Sequence, residues 1–474
     1  MSDLPPPPAL PTGQLGAMRA SEFSHLDEGG HRYFDYTGAG IAARSQIDAA
    51  HELIVTHVLG NPHSQNPTSA PATDLVEEAR RAVLEYFGAT EHVCIFTPNA
   101  SAALRLVGES FPFAPDRPFA LSADNHNSVN GIREFARHRG APVSVLPLVT
   151  PELRLDIDAA RSVIEHPPAR RAGLFAFPAQ SNYSGVQHPL GLVDEAGAAG
   201  WRVLLDTAAF VPTNRLDLGA VRADFACVSF YKMFGFPTGV GALIARHDAL
   251  AELSRPWFAG GTISMVSVSA DAHRLVPGHV GFEDGTLNFA SIPAVRDGLE
   301  LVGRVGIESI HERVLSATRY LLGSFAELRH GNGEPLVKVL GPSDPQCEGR
   351  GGTIAFNLYD PHGTMIHDRA VTDAASREGI SLRSGCFCNP GCGEAARGLG
   401  ATDMAPFFQR ADPPDFCDLD DAMWELHGWG ASALRASVGW ATDEADLMAL
   451  LRFLAGFRDR RADSFATPDE RPET

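Results

Sequence analysis

Short apolar runs recur along the first two-thirds of the chain, each bounded by polar, Gly or Pro residues. HVCIFT (92–97), PFALSA (118–123), VSVLPL (143–148), AGLFAFP (172–178), RVLLDT (202–207), FACVSF (225–230) and GVGALIAR (239–246) read as buried strands. Between most of them, apolar residues recur at three- and four-residue spacing, as in TDLVEEARRAVLEYFG (73–88) and SAALRLVGES (101–110), and predict helices. Strands alternating with helices predict an α/β domain, a mostly parallel seven-stranded sheet covered on both faces.

The pattern changes near residue 291. SIPAVRDGLELVGRVG opens with a Ser and Pro helix start, and IESIHERVLSATRYLLGSFAEL (307–328) predicts a second helix. GGTIAFNL (351–358), ISLRSG (380–385) and ALRASVGWA (433–441) predict strands; HDRAVTDAASREG and DEADLMALLRFLAGF predict helices. The organisation expected is a large domain over 15–290 and a smaller α+β domain over 291–462, with the N-terminal segment able to pack on the small one. Residues 1–14 are Pro-rich and expected to be disordered or extended, and 463–474 form a polar tail. Residues 393–432 are acidic and show no period, so an irregular surface excursion is expected there.

Composition narrows the function. The 474 residues exceed one compact domain, and 58 acidic against 39 basic residues leave a formal charge of −19. That balance argues against nucleic acid and anionic membrane surfaces as partners. No apolar run approaches membrane-spanning length, and the start MSDLPPPPALPTGQ has no signal-peptide pattern, so a cytoplasmic protein is expected. Seven cysteines, an odd number in a long chain, do not suggest a disulfide framework.

Candidate chemistry gathers at strand ends. Lys232 follows FACVSF and precedes a Gly/Pro turn, at the carboxyl end of a sheet where open α/β folds bind ligands. A desolvated lysine there is a nucleophile toward carbonyls; alone, it is equally a lysine snorkelling at a strand end. Asp206 ends RVLLD, 26 residues earlier. A buried carboxylate near a nucleophilic lysine suits pyridoxal 5'-phosphate, which needs a Schiff-base lysine and an acidic partner for its ring nitrogen. IFTPNASAALRLVGE places a helix start at Ala100–Ser101, where backbone N–H groups can hold a phosphate. His126, Gln180 and Asn182 stand at further strand ends.

In order and spacing, Lys232, Asp206, His126, Asn182 and the Ala100–Ser101 turn resemble the fold-type I, class V aminotransferase group, and within it the cysteine desulfurases. SFYKMFGFPTGVGALIAR, FAGGTISMVS, FEDGTLNF and LRSGCFCNPGCGEAA look closest to the aminotransferase-like domain of molybdenum cofactor sulfurases. The resemblance spans roughly 30–460 and implies a role for each matching position. Lys232 is the Schiff-base lysine, Asp206 the partner of the ring nitrogen, and His126 the ring stacked on the cofactor. Asn182 lies near the phenolic oxygen and the substrate carboxylate. Ala100, Ser101 and Ser229 bind phosphate, and Thr262 does so in the neighbouring subunit of a homodimer. Arg435 grips the substrate α-carboxylate. Two positions depart from the desulfurase pattern: Tyr231 stands where His precedes the lysine, and Ala209 where Gln follows the Asp. Both belong, by resemblance, to the molybdenum-cofactor-sulfurase branch.

Cys386, Cys388, Cys392 and Cys417 cluster late in the chain. The C-x-C spacing is tighter than structural zinc sites use and no paired His follows, so no metal is expected. The resemblance places the desulfurase nucleophile at Cys388, with Arg383 beside it and Cys386 as the competing thiol. The implied reaction takes L-cysteine to alanine, leaves a persulfide on the protein, and passes that sulfur to an acceptor protein or cofactor. The alternatives are a class V lyase, epimerase or aminotransferase on another amino acid, a selenocysteine lyase, or a binding role on an inactive fold. Retention of Lys232 with Asp206 speaks against the last. No further domain is expected after the final helix, where molybdenum cofactor sulfurases often carry one.

Overall fold

The structure, a computed structural model, describes residues 5–11, 13–62, 64–409 and 415–465. Seven strands form the central sheet: β1 (His92–Thr97), β2 (Phe119–Ser122), β3 (Val143–Leu146), β4 (Leu174–Pro178), β5 (Arg202–Asp206), β6 (Phe225–Ser229) and β7 (Gly241–Arg246). Their order is β1-β7-β6-β5-β4-β2-β3. Only β7 runs antiparallel to its neighbours, β1 and β6; the other pairings are parallel. Every residue of β4 and β6 is buried. That follows from their unbroken apolar runs, which suit a sheet covered on both faces. Helix α1 (Ala100–Ser110) follows β1, and the short α2 (Phe230–Phe234) follows β6.

The rest of the chain opens with α3 (Pro293–Val305) and α4 (Ile307–Glu327). Its sheet has strands β8 (Val337–Leu340), β9 (Thr353–Leu358), β10 (Arg383–Gly385) and β11 (Ala433–Ser437), in the antiparallel order β8-β9-β11-β10. Helix α3 reaches back to the large domain. A Cβ on Gly298 would lie 2.4 Å from the Phe234 ring, so only glycine lets α3 press on α2.

Two expectations are corrected. Residues 5–11 are extended and packed on the small domain, not disordered. Tyr320 donates to Pro5 O at 3.0 Å, Arg313 donates to Pro11 O at 2.8 Å, and Leu10 is 3% exposed. Their prolines cannot join a helix or sheet ladder, but their carbonyls still accept. Residues 1–4 and 12, and the tail beyond 465, lie outside the described residues. The stretch 393–432 is largely helical rather than irregular. After α5 (Asp368–Arg377) come α6 (Pro390–Arg397), α7 (Ala401–Phe408) and α8 (Phe416–His427), ahead of α9 (Glu444–Ala455). Asp415 caps α8 in a capping box with Asp418, and Gly428 ends it in the left-handed region. Among the described residues, no helix is long and apolar enough to cross a membrane.

Candidate active site

The carboxyl ends of β1, β4, β5 and β6 open onto a cavity of about 390 Å³. Its walls bring together Ala100, Ser101, His126, Asn182, Asp206, Ser229, Tyr231 and Lys232. Sequence reasoning singled out each of them. Gln180 and Ala209 also line it.

Lys232 sits at the middle of α2, one turn beyond the buried end of β6. Gly235 closes that turn at φ 78°, where a Cβ would lie 2.1 Å from Ala42 N. The residue is half-buried, and no hydrogen bond or ion pair holds its amine among the described residues. Burial lowers the Lys232 pKa; Asp206 opposes that shift, and Arg435 and Arg383 add to it. Asp206 is 7% exposed, and its Oδ1 accepts from Ala208 N at 3.0 Å.

His126 Nδ1 accepts the Ser128 N–H at 3.1 Å, which leaves the ring proton on Nε2 when the imidazole is neutral. Burial lowers its pKa against the pull of Asp206, with Lys232 lowering it further. A neutral flat ring therefore faces the cavity. Next to it α1 begins, with Asn99 capping Ala102 N at 2.9 Å. Ala100 N donates to Ser229 Oγ at 3.1 Å, and Ser101 Oγ meets Ser128 Oγ at 2.5 Å. Hydroxyls and a helix start converge there, as an anion needs. Tyr231 adds a half-buried phenol.

The loop 385–392 closes over this region from the small domain. Phe387 and Cys388 hold φ 55° and 53°, in the left-handed region non-glycine residues seldom adopt. Three contacts hold the loop down: Asn127 N donates to Cys388 O at 2.7 Å, Asn182 Nδ2 to Phe387 O at 2.7 Å, and Asn389 Nδ2 to Asp124 O at 2.7 Å. Cys388 is exposed. Cys386 is half-buried, and burial pushes its thiol up. Cys392 is fully buried, its thiol pushed well up by burial, and it lies 3.6 Å from Ser181 Oγ. Cys417 is half-buried on α8.

Four predicted positions stand apart from the cavity lining: Cys388 on its loop, Thr262, Arg435 and Arg383. Thr262 spends its hydroxyl within its own turn, donating to Ala259 O at 2.8 Å. Arg435 is 3% exposed and forms an ion pair with Asp35 at 2.8 Å, while its Nη1 donates to Asn182 O at 2.9 Å. Its guanidinium also lies 4.7 Å from the Phe387 ring centroid. Arg383 grips the other oxygen of Asp35 at 2.6 Å. Sequence reasoning missed Asp35. Burial alone would raise its pKa, but hydrogen bonds and charge from Arg383 and Arg435 hold it below the ordinary range. A carboxylate in YFDYTGAG beside a two-residue strand was the available signal.

The residues present fit pyridoxal phosphate. A desolvated amine without a partner, a buried carboxylate, a neutral imidazole face and an anion-holding helix start surround one cavity of suitable chemistry. Residues 32–450 match the aminotransferase class V family, and the chain belongs to it. It is 34% identical to the molybdenum cofactor sulfurase of Solanum lycopersicum, over 93% of this chain and 57% of that protein. It is 33% identical to the Homo sapiens molybdenum cofactor sulfurase, over 98% of this chain and 53% of that protein. The chain thus spans a little over half the length of these curated relatives. The apo structure of a cysteine desulfurase from Thermococcus onnurineus NA1 superposes with a TM-score of 0.77 at 22% identity, covering 93% of this chain and 97% of that one. A cysteine desulfurase of Escherichia coli superposes at 0.73 and 20% identity, covering 95% and 99%. The fold is the fold-type I arrangement expected from the sequence.

Proposed function

We propose that the chain is a pyridoxal phosphate-dependent cysteine desulfurase, converting L-cysteine to L-alanine and keeping the sulfur as a persulfide on Cys388. One observation carries this reading: the loop 385–392 fixes an exposed thiol beside a cavity built around Lys232. Lys232 would hold the cofactor covalently, Asp206 its ring nitrogen, His126 its ring face, and Ala100, Ser101, Ser229 and Tyr231 its phosphate. When bound there, the cofactor supplies an electron sink for charge released at the substrate Cα.

The chain's own groups do the rest. Lys232, its pKa lowered first by burial, can carry a proton to and from the substrate Cα. Cys388 Sγ, ionised, takes the substrate sulfur: an S–S bond forms as the Cβ–S bond breaks. The protein thiolate becomes a persulfide, the electron pair of the broken bond stays with the three-carbon skeleton, and a proton taken up at Cβ completes alanine, so no oxidant is needed. Arg435 and Arg383 bind the substrate carboxylate in place of Asp35. Accessibility favours Cys388 over Cys386, whose thiol burial keeps protonated.

The acceptor belongs to the proposal. A molybdenum cofactor is the first to test, because relatives 33–34% identical carry that name. A homodimer belongs to it too. The hairpin Ile263–Ser267/Ala272–Leu275 exposes Met265, Val266 and Val268, an apolar arm suited to a second copy, and Thr262 stands at its base. A cytoplasmic location fits the pairs of unbridged thiols.

Incubation with L-cysteine and a reductant tests the chemistry. Alanine and sulfide should form with the wild type and fall at least about 100-fold in Cys388→Ala, with Cys386→Ala nearer wild type. Undiminished alanine from Cys388→Ala would overturn the assignment.

A further inference from the structure

A second cluster of ionisable groups lies in the small domain, outside the cavity described above. His367 and Asp368 stand at the start of α5, and Asp420 lies on α8. One donor atom from each lies within 4.8 Å of the other two. Asp368 is 3% exposed and Asp420 1%. Neither has an arginine or lysine partner among the described residues. Buried carboxylates persist only where something offsets their charge.

The hydrogen bonding sharpens the point. Asp420 Oδ1 accepts from Ser432 N at 2.7 Å. Asp368 Oδ1 is buried and accepts no hydrogen bond. It lies 3.1 Å from His367 Nδ1. That nitrogen already accepts the Arg369 N–H, at 3.2 Å, as the cap of α5. Its single lone pair is engaged there and no proton faces the carboxylate, so an ion held at Nδ1 would take the place of the Arg369 N–H. Two acceptors facing each other at this distance repel unless a cation lies between them. Donors about 2.1 Å from a shared ion stand roughly 3.0–3.4 Å apart in ordinary coordination angles.

The surroundings hold the donors in place. The Trp424 ring stacks on His367 with centroids 5.0 Å apart and planes 8° from parallel. A Cβ on Gly430 would fall 2.8 Å from Asp420 Oδ1 and 2.5 Å from Trp424 Nε1, so glycine keeps that wall open.

We propose that His367, Asp368 and Asp420 form a divalent-cation site. One imidazole with two carboxylates suits zinc or manganese rather than magnesium or calcium, and water would complete the coordination. The ion pins α8 to α5. Together α7 and α8 wall an apolar cavity of about 230 Å³ that reaches Cys386, through Met404, Phe407, Phe416 and Leu419. The site thus fixes the wall behind the cysteine loop. It touches no residue assigned to the reaction, so it is structural.

Titration of the EDTA-treated, cofactor-loaded chain with zinc chloride, and separately with manganese chloride, tests this by calorimetry and melting temperature. Saturable binding at one ion per chain is expected, with a rise in melting temperature. Asp420→Asn and His367→Gln should each weaken binding at least tenfold while the absorbance of the bound cofactor stays unchanged. The double variant Cys386→Ser/Cys388→Ser separates this site from the thiols and should bind as the wild type does. Absence of one-per-chain binding to the wild type would overturn the proposal, whether or not the variants fold. So would binding that survives Asp420→Asn but disappears with the cysteines. Stabilisation by Asp368→Asn without any ion response would assign the cluster to a shared proton instead. None of these readouts depends on desulfurase activity.

Discussion

Asp35 occupies both guanidinium forks that the proposed reaction assigns to a substrate carboxylate, Arg435 at 2.8 Å and Arg383 at 2.6 Å. It keeps a nearly sealed arginine compensated. His126 works by the opposite means, since burial favours its uncharged form. A base whose pKa is lowered on folding binds fewer protons folded than unfolded, so stability rises with pH across that interval and is flat above the ordinary value. The cofactor-free protein should therefore gain melting temperature between about pH 5 and 7, around the ordinary histidine pKa. In His126→Gln the gain should shrink, as scanning calorimetry across that range would show. An unchanged slope in the variant would remove His126 from this role. Residues at strand ends were legible because a charged or polar group following an apolar run has few structural uses. Asp35 was not, since its meaning depends on two arginines separated from it by hundreds of residues.

The loop 385–392 is an element whose shape is imposed from outside. Asn389 is fully buried and serves three partners: Asp124 O at 2.7 Å, Asn182 Oδ1 at 2.9 Å and Cys392 N at 3.3 Å. Asn389→Ala leaves buried polar groups unmatched and should cost about 2–3 kcal/mol in denaturant unfolding. Persulfide formation should slow more than cofactor loading, because of the three partners only Asn182 lines the Lys232 cavity. Equal slowing of cofactor loading would place Asn389 in the cavity rather than the loop. The sequence announced the loop through its cysteines but not its anchoring, which rests on Asp124 O, Asn127 N and the Asn182 side chain, far away in the chain. The α6–α8 region shows the reverse failure. Its helix signals were present, with Asp415 before the first turn and Gly428 after the last. Acidic composition concealed an apolar face that contributes few buried residues, chiefly Met423.

At the scale of the whole molecule, the alternation of strands and helices sufficed for the large domain, because each parallel strand must be apolar throughout. The proposed assembly with a second copy rests on one exposed hairpin. The hairpin's Val268 is 95% exposed and Met265 61%. The pair of substitutions Met265→Glu and Val268→Glu should shift the protein toward monomer in light scattering, by placing charges in an apolar contact. Activity should fall with it if Thr262 serves the neighbouring site. A dimer unaffected by both changes would move the interface elsewhere.

The N-terminal strap adds a consequence for how the protein comes to exist. Arg19 pairs with Asp446 at 2.7 Å, Leu10 N donates to Glu444 at 3.1 Å, and Arg32 pairs in register with Ile380. Leu10 and Arg19 thus dock on residues 434 and 427 positions later in the chain. Such distant closure is slow and leaves apolar residues such as Leu10 and Phe23 uncovered during translation. A nascent chain paused before α9 has its early segment and its late helix apart, so chaperone capture should peak at that stage and end once α9 has emerged.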